Sequence, residues 1–577
     1  MKRTRLARGS DAFVQALKVE GVKYVFGVVG NSLISLLDPF YDEQETRFIG
    51  VRHEGAASFM AATHGYLTGD PGVCVGIGGP GAINLMSPSL PSVDLPMPMI
   101  MISSAASTKL AGTAEIFIDV PSHEIFRHTA KWSVRIDRPE RIPAILRKAF
   151  LMTTQKPGQV FVSITTDAVS GTAEIPNYCP SNYRELRKVM LEPDLEQIAR
   201  AARLVAEAER PVILVGGEAI GATEQLVSLA ERYRIPVLGD ANVKGIFPEN
   251  HPLYAGAIGF GFTTPSQKLF EEADVVLNAG SALDWFSVFV NETTGWVPGT
   301  WPRDCKMIQI GQDPSVVGRW FPVEIPLIAS VPAAISRIQA ALESLPIRPR
   351  FDDERPTRYL HMLEEWNATV EGELSSNKVP IHPARAIRDI LTIVDDAYLI
   401  CDASINALWA ISLAKLNDWR KWIPLLGGGL GMAIPSGIVT KLLMPNKRVV
   451  GLVGDGAFSM HIQELATAAE YGTACTWCVL NDSQWGFVKH PQTLYHNKRY
   501  VGTIFVKGPD FAVVAKGFHC HGQRVVKPNE VIPAVEEALR ANEKGIPAVV
   551  DIQIDPEPIQ WGMKIAYDLE QKGRTEL

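Results

Sequence analysis

Cysteine is sparse and follows no framework. The seven cysteines, at positions 74, 179, 305, 401, 475, 478 and 520, are odd in number and irregularly spaced. That excludes a disulfide scaffold and fits the reduced thiols of a cytosolic protein. Cys475-Thr476-Trp477-Cys478 has redox or zinc spacing, but it stands alone inside an apolar run, where two buried strand cysteines are the better reading. Positive charge is not in excess either: 56 Lys and Arg against 63 Asp and Glu give a net charge of −7 and a pI near 6.0. Nucleic-acid binding needs a basic face, so that class is excluded, although a local basic pocket for an anion is not. Long uncharged apolar runs are missing, none reaching the roughly 18–20 residues of a membrane span. The basic start MKRTRLARGS is not followed by the apolar core of a signal peptide. The expectation is a cytoplasmic chain with neither a membrane nor a nucleic acid as partner. No short-period repeat is present, which excludes a solenoid.

What is present is a long chain of globular composition, 577 residues with 46% hydrophobic and 21% charged. At roughly 100–200 residues per domain it holds three or four compact units. In the first, residues 1–175, a helix over Gly9–Glu20 leads into a strand over Tyr24–Val29 and a glycine turn at Gly30. The later runs VCVGIGG, MPMIMISS and QVFVSI are short, apolar and bounded by turns, as buried parallel strands are. Residues 165–190 read as a polar linker. The second unit, 191–342, alternates helices such as LEQIARAARLVAEAE with strands such as PVILVGG and ADVVLNAG. A second linker, 343–378, carries three prolines and mixed charge around a short helix. The third unit, 379–577, restarts the alternation with AYLICD, RVVGLVGDG, TWCVLND and AVVDIQID. The fold class is therefore α/β, with three doubly wound parallel-sheet domains.

The densest chemical signal is GDGAFSMHIQELATAAEYGTACTWCVLNDSQWG, residues 454–486. One strand ends at Gly454-Asp455-Gly456, a helix follows, and a second strand ends at Asn481-Asp482. Both acidic groups then lie at carboxyl ends of parallel strands, the edge where doubly wound folds place ligands. Gly456 lets a backbone N–H approach a phosphate, and the next helix aims its positive end there. A carboxylate at 455, an oxygen side chain at 482 and a nearby carbonyl suit the octahedral shell of Mg²⁺ shared with diphosphate oxygens. A plain glycine turn with a surface Asn-Asp turn fits the same letters.

This segment resembles the signature of thiamine-diphosphate-dependent enzymes, GDG followed one helix later by an Asn pair. The resemblance maps the metal ligands onto Asp455, Asp482 and the carbonyl of Gln484, with Asp482 where most relatives carry Asn. It places Gly454, Gly456, Ala457, Trp485 and Gly486 against the cofactor. Other segments extend it in the family's order. Val51-Arg52-His53-Glu54-Gly55 opens an apolar helix, and in the family a glutamate here binds N1′ of the aminopyrimidine from the neighbouring subunit. A carboxylate in an apolar cleft has a raised pKa and can share a proton with that ring; an ordinary helix-start glutamate is the alternative. The run Gly427–Pro435 resembles the GGLGxALP segment of benzoylformate decarboxylase, which implies that Leu430 props the cofactor and the Gly428 carbonyl accepts from its 4′-amine; close helix packing fits that glycine run nearly as well. Asp402, Ser404 and Asn406 end a strand with short polar groups suited to diphosphate.

The resemblance implies an enzyme that makes or breaks a carbon–carbon bond beside a carbonyl, the cofactor supplying the carbon nucleophile and electron sink. Which member it is stays open. NDSQWGFVKHPQ and KRYVGT resemble benzaldehyde lyase, and residues 400–435 resemble benzoylformate decarboxylase and acetolactate synthase. GYLTGDPGVCVGIGGPGAINL and Ala282-Leu283-Asp284-Trp285 resemble oxalyl-CoA decarboxylases and 2-hydroxyacyl-CoA lyases. The leading expectation is decarboxylation, lyase or carboligase chemistry on a 2-oxo acid, aldehyde or 2-hydroxy ketone; the alternative is an acyl-CoA substrate. A catalytically silent, cofactor-binding paralogue is a third reading, and the intact Glu54 and Asp455 argue against it. Substrate-side acid–base work falls to Asn31, Asp119, His123 or His490, the last being equally readable as a solvated helix histidine. Gly216-Gly217-Glu218 is only a strand-end turn, which leaves the middle domain open to ADP, FAD or neither. Glu54 and Asp455 have to meet across subunits, so a homodimer is the minimum assembly and a homotetramer the family's common one.

Overall fold

The computed structural model describes the chain apart from residues 1–3, 88–94, 96, 114–115, 156–157, 285–286, 289, 292–294, 297–300, 303, 347–353, 427–428 and 576–577. Among the described residues no helix is long and apolar enough to cross a membrane. Three six-stranded sheets carry the architecture. The N-terminal one runs, in spatial order, Arg47–Gly50, Tyr24–Gly27, Gly72–Gly76, Met99–Ala105, Gln159–Thr165, Trp132–Ile136, every pair parallel. The middle sheet runs Tyr254–Ala257, Val237–Gly239, Pro211–Val215, Val275–Ala279, Lys306–Gly311, Ile325–Ile328, again all parallel. The C-terminal sheet runs Trp422–Ile423, Tyr398–Cys401, Val449–Gly454, Thr476–Asn481, Ala548–Gln553, His521–Val525. The architecture is α/β with three doubly wound parallel sheets.

Parallel sheets need both faces covered, and the strands show it: Val449–Gly454 and Thr476–Asn481 are buried at every position. The indole of Trp477 fits because its register partner is Gly451, where a Cβ would stand 2.6 Å from Cδ1 of the ring. Cys478 lies in this strand and Cys475 just before it, both buried and in no disulfide.

The first and third sheets share one topology. Numbering strands by sequence within each, both run 2-1-3-4-6-5, with the switch point between strands 1 and 3. Ligand crevices form outside the carboxyl ends of such a pair. In the C-terminal sheet that edge carries Asp402–Asn406 and Gly454–Gly456; in the N-terminal sheet it carries Val28–Asn31 and Ile77–Gly81. The middle sheet runs 3-2-1-4-5-6.

Both expected linkers hold regular structure. Within 165–190, Thr172–Pro176 forms an antiparallel ribbon with Thr4–Arg8, and Tyr183–Arg187 is helical. Within 343–378 the helix is not short: Arg355–Leu374 spans 20 residues. The chain divides into two compact units. One comprises the residues up to Val189 with Leu425–Lys447 and Ser459–Cys475; the other comprises Met190–Pro424, Arg448–Phe458 and the residues from Thr476 onward.

Candidate active site

In the second unit, Asp455 and Asp482 end adjacent strands of the C-terminal sheet. Asp455 is buried, and its carboxylate accepts the Gly456 N–H at 2.9 Å. Burial first, and then the charge of Asp482, pushes its pKa up to about 8. Burial likewise lifts half-buried Asp482 to about 6, although the Gln484 side chain donates to it at 2.9 Å. Two carboxylates desolvated side by side repel, and a divalent cation relieves that. Among the described residues no three His, Cys, Asp or Glu side chains form a metal set. A cation here must therefore draw on backbone and ligand oxygens as well, which suits Mg²⁺ with a diphosphate. Gln484 bridges to Ile504, and the two hydrogen bonds of that bridge come from its neighbours, Trp485 N–H to Thr503 O and Phe505 N–H to Ser483 O, each 2.8 Å. The Gln484 carbonyl is not used in that pairing.

The glycines of this turn are sterically required. A Cβ at Gly454 would stand 2.9 Å from Nδ2 of Asn406 and 3.2 Å from Oγ of Ser404; one at Gly456 would stand 2.4 Å from the Trp485 ring. A Cβ at Gly486 would lie 3.1 Å from Oδ2 of Asp482. Ser404 caps the helix Ile405–Leu413 by accepting the Asn406 N–H. Asn406 Oδ1 is buried with no partner among the described residues, so one end of its amide is left for a ligand, and a half-turn exchanges acceptor for donor. Buried Asp402 donates its N–H to Leu452 O at 3.1 Å, and Ala457 is buried beneath the turn. The structure thus brings together Ser404, Asn406, Gly454, Asp455, Gly456, Asp482, Gln484, Trp485 and Gly486.

In the first unit, Glu54 opens the helix Glu54–Thr68 after the second strand and is 7% exposed. Asn84 Nδ2 donates to its Oε2 at 3.0 Å. A Cβ at Gly81 would stand 2.7 Å from its Oε1, and one at Gly76 would stand 3.2 Å from its Cγ, so these two glycines open the slot it fills. The turn before it is held by buried Glu464, whose carboxylate accepts the Arg52 N–H at 3.0 Å and the Thr467 hydroxyl at 2.6 Å. Burial raises the Glu464 pKa to about 7. His461 packs its ring edge-on to His53 and Phe59 and bonds the Gly431 carbonyl through Nδ1 at 2.9 Å. Gly431 has φ +92°, a left-handed conformation that glycine adopts freely. His461 therefore fixes the loop that presents Leu430, which is 37% exposed. Gly428 and Trp285 lie outside the described residues.

The substrate-side candidates divide. Asn31 is exposed at the carboxyl edge of the N-terminal sheet, where its neighbour Ser32 bonds Ser104 at 2.7 Å. Ser104 also accepts the Gly78 N–H at 2.8 Å, and a Cβ at Gly78 would lie 3.1 Å from Ile118 O, so the Ile118-Asp119 loop reaches this edge too. Asp119 itself accepts the Gly112 N–H at 2.7 Å. His123 lies half-buried against Glu124, Nε2 to Oε1 at 3.2 Å. His490, in the second unit, is no solvated helix residue: it is 3% exposed, with Nε2 3.4 Å from Pro556 O and Nδ1 buried without a partner among the described residues. Burial holds its pKa below the ordinary imidazole value. The Pro556 carbonyl is a hub, receiving Gln484 Nε2 at 2.9 Å and Lys489 Nζ at 3.2 Å as well.

Sequence reasoning missed Asn84, Glu464, His461 and Pro556. Asn84 follows the glycine turn by one helical turn, a weak signal; the other three are long-range partners with none.

The middle sheet has the strand order of dinucleotide-binding folds, but its first turn is already engaged. Gly216 and Glu218 donate their N–H groups to Ala279 O and Gly280 O, each 3.1 Å, and the Glu218 carboxylate accepts the Gln312 N–H at 2.6 Å. Asp240 accepts the Ser281 and Ser287 hydroxyls, each at 2.6 Å, and Asp284 accepts from Asn242 at 3.3 Å. A dinucleotide diphosphate needs donors at this edge. The described residues there present these three carboxylates together with the guanidinium of Arg319, which donates to Ala282 O at 3.2 Å, and the carboxylates disfavour a dinucleotide diphosphate.

Three family models match the chain in order: "Thiamine pyrophosphate enzyme, N-terminal TPP binding domain" over residues 7–132, the central domain over 198–338, and the "C-terminal TPP binding domain" over 402–552. A probable acetolactate synthase large subunit of Methanocaldococcus jannaschii is 31% identical over 564 residues, covering 95% of this chain and 92% of that protein. The acetolactate synthase large subunit of Corynebacterium glutamicum is 29% identical, over 96% of this chain and 88% of its own. A putative thiamine pyrophosphate-containing protein of Bacillus subtilis, YdaP, is 27% identical over 96% and 93%.

Proposed function

Because the chain belongs to the thiamine pyrophosphate enzymes, we propose that it decarboxylates a 2-oxo acid and joins the remaining fragment to a second carbonyl compound. The end-to-end similarity to proteins named acetolactate synthase supports this choice of reaction. The observation that carries the reading is the desolvated pair of Asp455, which ends the switch-point strand, and Asp482, which ends the strand beside it, with the open amide end of Asn406 next to Gly454.

Asp455, Asp482 and the Gln484 carbonyl would hold Mg²⁺; Ser404, Asn406 and the Gly454–Gly456 backbone would hold the diphosphate. When bound, thiamine diphosphate supplies a carbon nucleophile and an electron sink. Leu430 would prop the cofactor. Glu54 of one copy would hold a proton at the pyrimidine of a cofactor whose diphosphate another copy binds, and Asn84 keeps its carboxylate aimed. Self-association fits the apolar side chains Val29, Ile34, Ile83 and Phe117, which stand exposed around the edge that bears Glu54. A homodimer is the smallest competent assembly, acting in the cytoplasm. His490, neutral at physiological pH, offers Nδ1 as an acceptor to a substrate hydroxyl.

The test is a substrate panel with added thiamine diphosphate and Mg²⁺, read by carbon dioxide and aldehyde release and by ligation product. Turnover of free 2-oxo acids supports the reading. Turnover confined to 2-hydroxyacyl or oxalyl thioesters of coenzyme A replaces it with the acyl-CoA alternative.

A further inference from the structure

One ionic pair in the second unit is almost wholly sealed from water. Lys244 Nζ lies 2.8 Å from Glu249 Oε2, with side-chain exposures of 2% and 1%. Both sit on the loop that follows the middle-sheet strand Val237–Gly239, and neither belongs to the diphosphate site described above. A buried pair of this kind adds little net stability over apolar side chains of the same size, because desolvation offsets the attraction. Its other contacts show what it does. Lys244 Nζ also donates to Ile411 O at 3.0 Å. Glu249 accepts the Leu416 N–H at 3.1 Å and returns its own N–H to Leu416 O at 2.9 Å. Its second oxygen accepts the Gly245 N–H and the Tyr254 hydroxyl, each at 3.2 Å.

Ile411 belongs to the last turn of the helix Ile405–Leu413, and Leu416 follows its end. The ammonium therefore meets the negative end of that helix, where a cation is favoured. The pair grips the carboxyl end of a rod about 13 Å long. Its amino end is Ser404-Ile405-Asn406, facing Gly454, where Asn406 Nδ2 and Ser404 Oγ leave no room for a Cβ. A shift of this helix along its axis moves both side chains against the Gly454-Asp455-Gly456 turn.

We propose that Lys244 and Glu249 are positioning residues that set the axial placement of the helix Ile405–Leu413, and through Ser404 and Asn406 the affinity for the diphosphate of the cofactor. The inference rests on the reading, given above, that these two side chains hold the diphosphate.

The test measures thiamine diphosphate affinity at saturating Mg²⁺, kcat at saturating cofactor and the melting temperature, on the full-length enzyme. The double variant K244M/E249M removes both charges without leaving either buried and unpaired. It is expected to melt below the native protein, because Leu416, Gly245 and Tyr254 lose their acceptor, to bind thiamine diphosphate about 10-fold more weakly, and to keep kcat within about 2-fold once saturated. K244R, which keeps the charge and the donor to Ile411, is expected to restore affinity to within about 3-fold of native. The milder double variant K244Q/E249Q, which leaves no buried charge and keeps an acceptor for Gly245 and Tyr254, is expected to weaken binding about 3-fold and carries the test should K244M/E249M not fold. N406A tells the two ideas apart. If N406A weakens binding while K244M/E249M and K244Q/E249Q bind as native, the positioning role is overturned and the diphosphate site stands. If N406A itself binds as native, the site reading fails and the inference falls with it.

Discussion

Asn84 Nδ2 donates to Oε2 of Glu54 at 3.0 Å, while Gly81, three residues before Asn84, leaves the space that Oε1 occupies. One short turn after the third strand thus aims both oxygens of a buried carboxylate. E54Q keeps the shape and loses the titratable proton, so kcat is expected to fall about 100-fold or more with cofactor affinity little changed. G81A drives a methyl into Oε1 and is expected to lower kcat by at least about 10-fold through misplacement alone. Steady-state kinetics with a parallel cofactor titration separate the two effects.

The Gly456–Trp485 contact makes a different prediction. A methyl at 456 would stand 2.4 Å from the indole, which belongs to the loop carrying Asp482 and Gln484. G456A is expected to weaken cofactor and Mg²⁺ binding together. G456A/W485L, which removes the clash, is expected to recover part of the loss; binding isotherms for each ligand read the outcome.

His461 confers a pH dependence. Burial lowers its pKa from 6.5 to about 4, so the folded protein keeps it neutral where the unfolded chain protonates. Its contribution is complete above pH 6.5, declines as pH falls, and is lost below about 4. The slope is about 1.4 kcal/mol per pH unit, or about 3 kcal/mol across the window. H461Q, which can still donate to the Gly431 carbonyl, is expected to flatten the acid side of the stability profile, measured by denaturant unfolding between pH 4 and pH 7.

Glu218, Asp240 and Asp284 line the edge where a flavin or ADP would place its diphosphate. The purified protein is therefore expected to be colourless and to take up neither FAD nor ADP on dialysis. A yellow preparation with stoichiometric flavin would contradict the assignment of that edge.

The sequence made the Gly454–Gly456 turn legible because its parts are contiguous: GDG, the following helix and Asp482 lie within one short segment, as do His53, Glu54 and Gly55. Alternation of apolar runs with glycine turns likewise marked the parallel strands. The ribbon strand Thr172–Pro176 was hidden because it is short, polar and paired with residues near the chain start. Helix Arg355–Leu374 was hidden by prolines read as breakers, although Pro356 sits in its first turn, where proline is compatible. His490 could not be placed, since its burial depends on Pro556, a long way down the chain. Glu464 and the Lys244–Glu249 pair pose the same difficulty: a charged residue in a helix or loop reads as solvated until its partner is located.

The most direct measurement is thiamine diphosphate binding by the native protein and by D455N, each with Mg²⁺ and with the metal chelated. Native protein should bind one cofactor per chain with Mg²⁺ and lose about 100-fold in affinity without it. D455N should bind weakly in both conditions. Native-like binding by D455N, or no uptake by the native protein in the presence of Mg²⁺, would contradict the account.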